Sequence, residues 1–288
     1  MEEAKAAKKV GIIGIVCNFI LLILKFIIGI ISKSQGLLAD AVNSFSDVFS
    51  SLVTYIGGII SSKPRDEDHE FGHGKAEFVA SFLIGIFMTI ASIIMLYNAL
   101  MSIINKETFE ISIYTILIPI ITIVIKLMMY VYCNKKGKEY NSLLISVNAK
   151  DHRNDLIIST GVLIGMLFGY YGYYFVDGIV GMLISLFIII TGIRITYEAY
   201  DVLIDKCIDV DLYNEIKEDL EKIDGVRHID NILSKPTGSH HILIVKISVD
   251  PEMTVRESHK IAGKIRYEFN KRREIYDTIV HINPDGDL

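Results

Sequence analysis

Asp151 and Asp155 stand four residues apart in NAKDHRNDLIISTG, and an apolar run from Leu156 to Phe175 follows. On a helix this spacing separates two side chains by about 40° in azimuth and about 6 Å in rise, so both carboxylates share a face. Acids at membrane depth are costly and by default mark an ion path. Asn43 and Asp47 repeat the spacing upstream, in GLLADAVNSFSDVFSS. Four oxygen-bearing side chains on two facing helices can enclose one divalent cation. The set holds three carboxylates, one amide and no thiolate, and such hard donors suit Mg, Ca or Mn ahead of Zn or Cu. His152 adjoins Asp151 but lies about 100° round the helix, off the ligand face. A dication needs these carboxylates ionised, whereas the emptied cage favours proton uptake, so protons and metal compete for it. The alternative is that the acids pair with Lys25, Lys126, Lys150 or Arg153 to fasten helices together. Two equally spaced pairs at equal depth exceed what fastening needs.

The elements that position these pairs are membrane helices. The chain has 288 residues, 51% of them hydrophobic, and a mean hydropathy of +0.42. That composition fits a membrane protein with a polar domain attached. The net charge is −5 with scattered basic residues, which argues against a nucleic-acid partner. Cys17, Cys133 and Cys207 are isolated and suggest packing residues in a reducing compartment, not a disulfide framework. The first apolar run lacks a small-residue cleavage site and reads as a retained span. Spans are expected at 10–32, 36–62, 76–104, 112–133, 142–173 and 174–197. The polar first half of span 5 must then face the bundle interior. Pro64 ends span 2, and a basic loop follows span 4.

Lysine and arginine counts set the orientation. One side holds Lys5, Lys8 and Lys9, then Lys63, Arg65 and Lys75, then Lys135, Lys136 and Lys138; the other holds only Lys33 and Lys106. The expected architecture is an all-α six-helix transmembrane bundle with both termini cytoplasmic. In that topology Asn43–Asp47 lies about 12 Å from the outer end of its helix and Asp151–Asp155 about 15 Å from the inner end of the other. In a core about 30 Å thick the two pairs meet near the midplane, the depth at which secondary transporters bind substrate.

Other polar residues have two readings. Lys25 fits a snorkelling or interhelical lysine better than an ion-path residue. Asp40 fits an N-terminal acid stabilised by the helix dipole better than a ligand. Asp177 reads as structural. In KPRDEDHEFGHGKAE, the residues Asp66, His69 and His73 either bind a borderline metal such as zinc or sit in a solvated Gly-His-Gly turn. From about residue 206 the composition turns soluble. DVDLYNEIKEDLEKI and 252–271 read as helices; 226–233, 241–249 and 278–282 read as strands. The division is therefore 1–205 for the membrane domain and 206–288 for a cytoplasmic α+β domain of order α-β-β-α-β.

These segments resemble the cation diffusion facilitator family. The resemblance rests on the two four-spaced pairs, DHEFGHGKAE, Lys126 with KLMMYVYCNKKGKEYNS, TVRESHKIAGKI and TIVHINP, and it covers nearly the whole chain. It implies a homodimeric antiporter of the cell membrane, exporting divalent cations in exchange for protons, with metallochaperone-like cytoplasmic domains. By position, Asn43, Asp47, Asp151 and Asp155 form the transport site. Zinc-type members carry histidine where Asp151 stands, so the set resembles the manganese branch, with Zn²⁺ or Fe²⁺ as alternatives. Asp66, His69 and His73 match a second metal site. Lys75 resembles a lysine that pairs across the dimer with an acid after span 6, for which Asp205 is the candidate. In the tail His259 and His281 match ligand positions, but Lys246 and Asn283 replace a histidine and an aspartate, which implies a degraded site. His228, His240 and His241 are a replacement set or surface histidines. The remaining functions weighed are a zinc, iron or cobalt exporter, a non-transporting metal sensor, and a membrane metallohydrolase. The last is set aside because no HExxH, no Gly-x-Ser-x-Gly and no second acid set near an opening is read, so the chain is not expected to be an enzyme. Lysine-, isoleucine- and asparagine-rich usage suggests a bacterial inner membrane.

Overall fold

Six long helices open the chain: α1 (Glu2–Ser32), α2 (Gln35–Ser61), α3 (Ala76–Ile104), α4 (Ile113–Glu139), α5 (Leu143–Tyr170) and α6 (Phe175–Leu203). Then come α7 (Val210–Glu221), β1 (His228–Pro236), β2 (His241–Val249), α8 (Val255–Phe269) and β3 (Ile275–Pro284). This computed structural model describes residues 2–61, 66–139, 143–238 and 240–286. Lys63, Pro64 and Arg65, expected at a helix end and in a basic loop, lie outside the described residues. The chain forms two compact units, Met1–Leu52 with Leu83–Thr196, and Val53–Phe82 with Tyr197–Leu288.

In the first unit the usual polarity of a folded protein is inverted. Asn43, Ser44 and Ser46 on α2 and His152, Asp155 and Ser159 on α5 are buried, whereas Phe26, Ile31, Ile90, Ile157 and Ile190 are exposed. An apolar exterior around a polar interior is what a hydrocarbon solvent selects. Among the described residues, four stretches are long and apolar enough to cross a membrane: Ile12–Ser32, Ala76–Ile104, Ile113–Lys136 and Phe175–Leu203. α2 and α5 are not among these four stretches, and both carry polar residues that are buried.

Lys25 is an interhelical lysine. Its Nζ donates to Asp40 Oδ1 at 2.8 Å and to Ser44 Oγ at 3.0 Å. The helix-dipole reading of Asp40 is therefore corrected: Asp40 is fully buried, and its second oxygen accepts from Ser159 Oγ at 3.1 Å. One ion pair thus ties α1, α2 and α5. Asp177, in the first turn of α6, accepts from Ser34 Oγ and the Gln35 amide at 2.7 Å each, and from the Gly36 amide at 3.3 Å. A helix start leaves its first amides without partners and carries partial positive charge, so an acid on α6 caps α2. A Cβ on Gly36 would lie 2.8 Å from Asp177 Oδ1, and only glycine allows this approach. The basic loop expected after span 4 is also corrected. Lys135, Lys136 and Lys138 lie within α4, where cations near the helix C-terminus are favourable.

In the second unit, β1 and β2 pair antiparallel, and β2 and β3 pair parallel. α7 and α8 contribute Ile216, Leu220, Ile265 and Phe269 to a core with Leu243, Val245 and Ile247 of β2. Thr254 and Glu257 form a capping box that starts α8. The partners Leu233, Ile244 and Ile279 form a row across the sheet, of which Leu233 is 48% and Ile279 46% exposed.

Candidate cation site

A cavity of about 340 Å³ lies within the first unit, and Asn43, Asp47, Asp151 and Asp155 all line it. Asn43 and Asp47 project from α2, Asp151 and Asp155 from α5, at the four-residue spacing that puts each pair on one face. Asn43 Nδ2 donates to Asp155 Oδ1 at 3.0 Å, joining the two helices directly. Lys126 Nζ, from α4, donates to Asp155 Oδ2 and also to Asn18 Oδ1 of α1, the latter at 2.7 Å. The pairing proposed as an alternative for the acids thus holds at Asp155. Asp155 is nonetheless a cavity wall, and a carboxylate has about four acceptor sites.

Three contributors escaped the sequence reading. Asn154 and Arg194 line the cavity, and Asn18 anchors Lys126. Arg194 is an ionisable residue within an apolar helix, a signal that was available. Asn18 was not legible, because a lone asparagine in an apolar span names no partner. Asp151 and Arg194 are exposed, so the cavity opens at their end. His152 is 4% exposed and is not one of the lining residues.

A second cluster lies in the other unit. Asp66 Oδ1 accepts from the His69 amide at 2.7 Å and lies 3.1 Å from His69 Nδ1; Asp66 Oδ2 lies 3.4 Å from His73 Nε2. Among the described residues this is the one group of three histidine, cysteine or acidic side chains whose ligand atoms all lie within 4.8 Å of one another; Asp47, Asp151 and Asp155 share a cavity wall but are not drawn that close. Partial desolvation pushes the Asp66 carboxyl up, and the His69 hydrogen bonds and His73 charge outweigh it, leaving it below the ordinary range. The loop is pinned, since a Cβ on Gly74 would strike the Thr237 carbonyl and Lys235 lies 5.2 Å from the Phe71 ring centroid. The expectation that the chain lacks an HExxH motif is corrected by this loop. His69-Glu70-Phe71-Gly72-His73 does carry the letters of HExxH. That motif works on a helix, where both histidines share one face, and residues 69–73 are turn and coil.

Lys75 Nζ donates to Asp205 Oδ1 at 2.6 Å within one chain. His259 and His281 are exposed and belong to no three-ligand group among the described residues; nor do His228, His240 and His241. Asn283, standing where an aspartate was expected, instead donates to Asp230 Oδ2 at 2.9 Å. Asp230 also accepts from Ser248 Oγ at 2.8 Å and lies 3.0 Å from His228 Nδ1. Burial pushes the Asp230 carboxyl up, but its hydrogen bonds from His228, Asn283 and Ser248 hold it below its usual value.

The sequence as a whole matches known proteins. Residues 11–204 match the cation efflux transmembrane domain, and residues 208–285 the cytoplasmic domain of cation efflux proteins. The chain belongs to the cation efflux family. This cation efflux protein is a membrane transporter of divalent metals, not an enzyme. It is 31% identical over 291 residues to the manganese efflux system protein MneP of Bacillus subtilis, covering 98% of each chain. It is 29% identical over 290 residues to the magnetosome protein MamM of Magnetospirillum gryphiswaldense, covering 96% of this chain and 91% of that one. A metal-bound C-terminal domain of the CzcD transporter from Thermotoga maritima is 31% identical over 27% of this chain and 93% of that one, with a TM-score of 0.27.

Proposed function

We propose that this transporter exports Mn²⁺ from the cytoplasm in exchange for protons, and that Asn43, Asp47, Asp151 and Asp155 are its cargo ligands. One observation carries the reading: three carboxylates and an amide from α2 and α5 line a single cavity among lipid-facing helices. Oxygen donors without thiolate or imidazole favour a hard cation. The names of two relatives, the manganese efflux proteins MneP and MneS of Bacillus subtilis, support the choice of metal. Three neighbouring acids must shed protons to take a dication and regain them when it leaves, which couples the two flows.

In this reading residues 1–205 cross a bacterial inner membrane six times with both termini cytoplasmic, and 206–288 form the cytoplasmic domain. The helix lengths support six crossings, since α2 has 27 residues and α5 has 28, about 40 Å at 1.5 Å per residue. The exposed Leu233 and Ile279, on either side of the half-buried Ile244, support a homodimer that buries this row. Asp66, His69 and His73 form a second metal site suited to zinc. Lys75 and Asp205 hold the start of α3 to the chain just beyond α6, and His259 and His281 are remnants of a tail site.

The histidine-bearing loop favours one other reading, a zinc, iron or cobalt exporter. Flux in proteoliposomes separates the two. Wild type moves Mn²⁺ in preference to Zn²⁺, with protons counterflowing. Asp151→His gains Zn²⁺ flux and shifts the Mn-to-Zn ratio by about tenfold or more toward zinc, because imidazole suits the softer ion. Unchanged Mn²⁺ flux with no zinc gained would overturn the selectivity argument.

A further inference from the structure

We propose that the Lys126 ammonium is a tethered, displaceable occupant of the cargo site, which the metal must push off Asp155 to bind and which returns to expel it. The proposal rests on the reading of the cavity as the cargo site. Lys126 is 1% exposed, so its charge has left water and needs polar partners. It donates to Asn18 Oδ1 and Asp155 Oδ2, which account for two of its three donors. The other oxygen of Asp155 accepts from the amide nitrogen of Asn43. Both oxygens of Asp155 are thus engaged by protein donors, and Asn43 presents its N–H₂ end. Acceptor sites remain on Asp155, but a dication there would sit beside the buried ammonium, and like-charge repulsion at low dielectric drives the ammonium off Oδ2; the Asn43 amide must also turn its carbonyl inward.

Lys25 marks the contrast. It is equally buried, yet its carboxylate partner Asp40 is also held by Ser159 and is not one of the residues lining the cavity. Lys25 fastens helices, whereas Lys126 sits on a carboxylate that cargo would use. Asn18 gives the displaced ammonium a place to stay, because the hydrogen bond at 2.7 Å already exists. Cargo and ammonium therefore alternate on Asp155, and the counterflowing protons then fall to Asp47 and Asp151.

The test measures Mn²⁺ affinity of the full-length protein in detergent at one fixed pH, with Mn²⁺ flux in proteoliposomes. Lys126→Met removes the competitor: Kd falls by about tenfold, and maximal flux falls with KM, since release loses its counter-ion. Asn18→Leu removes the alternative partner and drives the ammonium onto Asp155, so Kd rises by about threefold. Lys126→Arg keeps the competitor and holds Kd within about threefold of wild type. A mere fastener would weaken binding in both Lys126→Met and Asn18→Leu, and that result overturns the proposal. If Lys126→Met fails to fold, an unchanged or lower Kd in Asn18→Leu overturns it equally. Asp155→Asn separates the two claims. If it binds Mn²⁺ as wild type does, the cargo-site reading itself fails; if it loses binding while Lys126→Met leaves Kd unaltered, only the present proposal fails.

Discussion

Asp155→Asn abolishes cation flux and leaves a folded protein. The amide matches the carboxylate in shape and can still accept from Lys126, so the ammonium on α4 keeps a partner. What it loses is the negative charge that a dication needs on the α5 side of the cavity. Even outer partners of metal ligands are worth about 10–100-fold in affinity or activity, so loss of a direct ligand should cost about 100-fold or more. Asp155→Ala behaves worse in a way that can be measured separately. It strands Lys126, and removing one member of a buried pair destabilises by about 3–5 kcal/mol. Proteoliposome flux of Mn, Zn, Fe and Cd, alongside thermal unfolding in detergent, distinguishes lost ligation from lost folding. Wild-type flux in Asp155→Asn would remove this residue from the site.

Asp40→Leu destabilises the membrane unit by about 3–5 kcal/mol, because it leaves the buried ammonium of Lys25 without its counter-ion. Ser44 remains as a neutral acceptor at 3.0 Å, which cannot offset a desolvated charge. The double variant Lys25→Met, Asp40→Leu recovers most of that loss, since replacing a buried pair with apolar side chains of similar size is often neutral or better. The same cycle decides what Asp40 is for. A fastener predicts that the double variant is stable and transports. A cargo ligand predicts that it is stable and inert.

The two residues show what a sequence can and cannot reveal. Depth and facing along one helix follow from residue spacing, so Asn43 with Asp47 and Asp151 with Asp155 were legible as two pairs at similar depth. The inward face of α5 was legible too, although hydropathy alone passes over it. Lateral neighbours were not legible, because spacing within one helix says nothing of which helix packs beside it. Asp40 therefore read as a dipole acid until Lys25 and Ser159 appeared beside it. Asp177 read as structural, but its role in capping α2 from α6 needs 142 residues of separation to close. In the cytoplasmic domain the strand 241–249 was legible from its alternation and matches β2. β3 runs three residues earlier than expected at its start, since Tyr276 and Asp277 are paired to β2 or flank its pairing without an apolar signal of their own. The helix expected over 252–271 is shorter, because the Thr254–Glu257 capping box sets its start.

Transport in this protein rests on one dication held between α2 and α5. Anomalous X-ray scattering at the manganese edge, from crystals of the full-length protein grown with Mn²⁺, tests it most directly. The prediction is a peak in the cavity, ligated by the Asp47, Asp151 and Asp155 carboxylates and the Asn43 carbonyl oxygen, with Lys126 on Asn18 alone. A peak confined to Asp66, His69 and His73, with Lys126 still on Asp155 at saturating Mn²⁺, would contradict it.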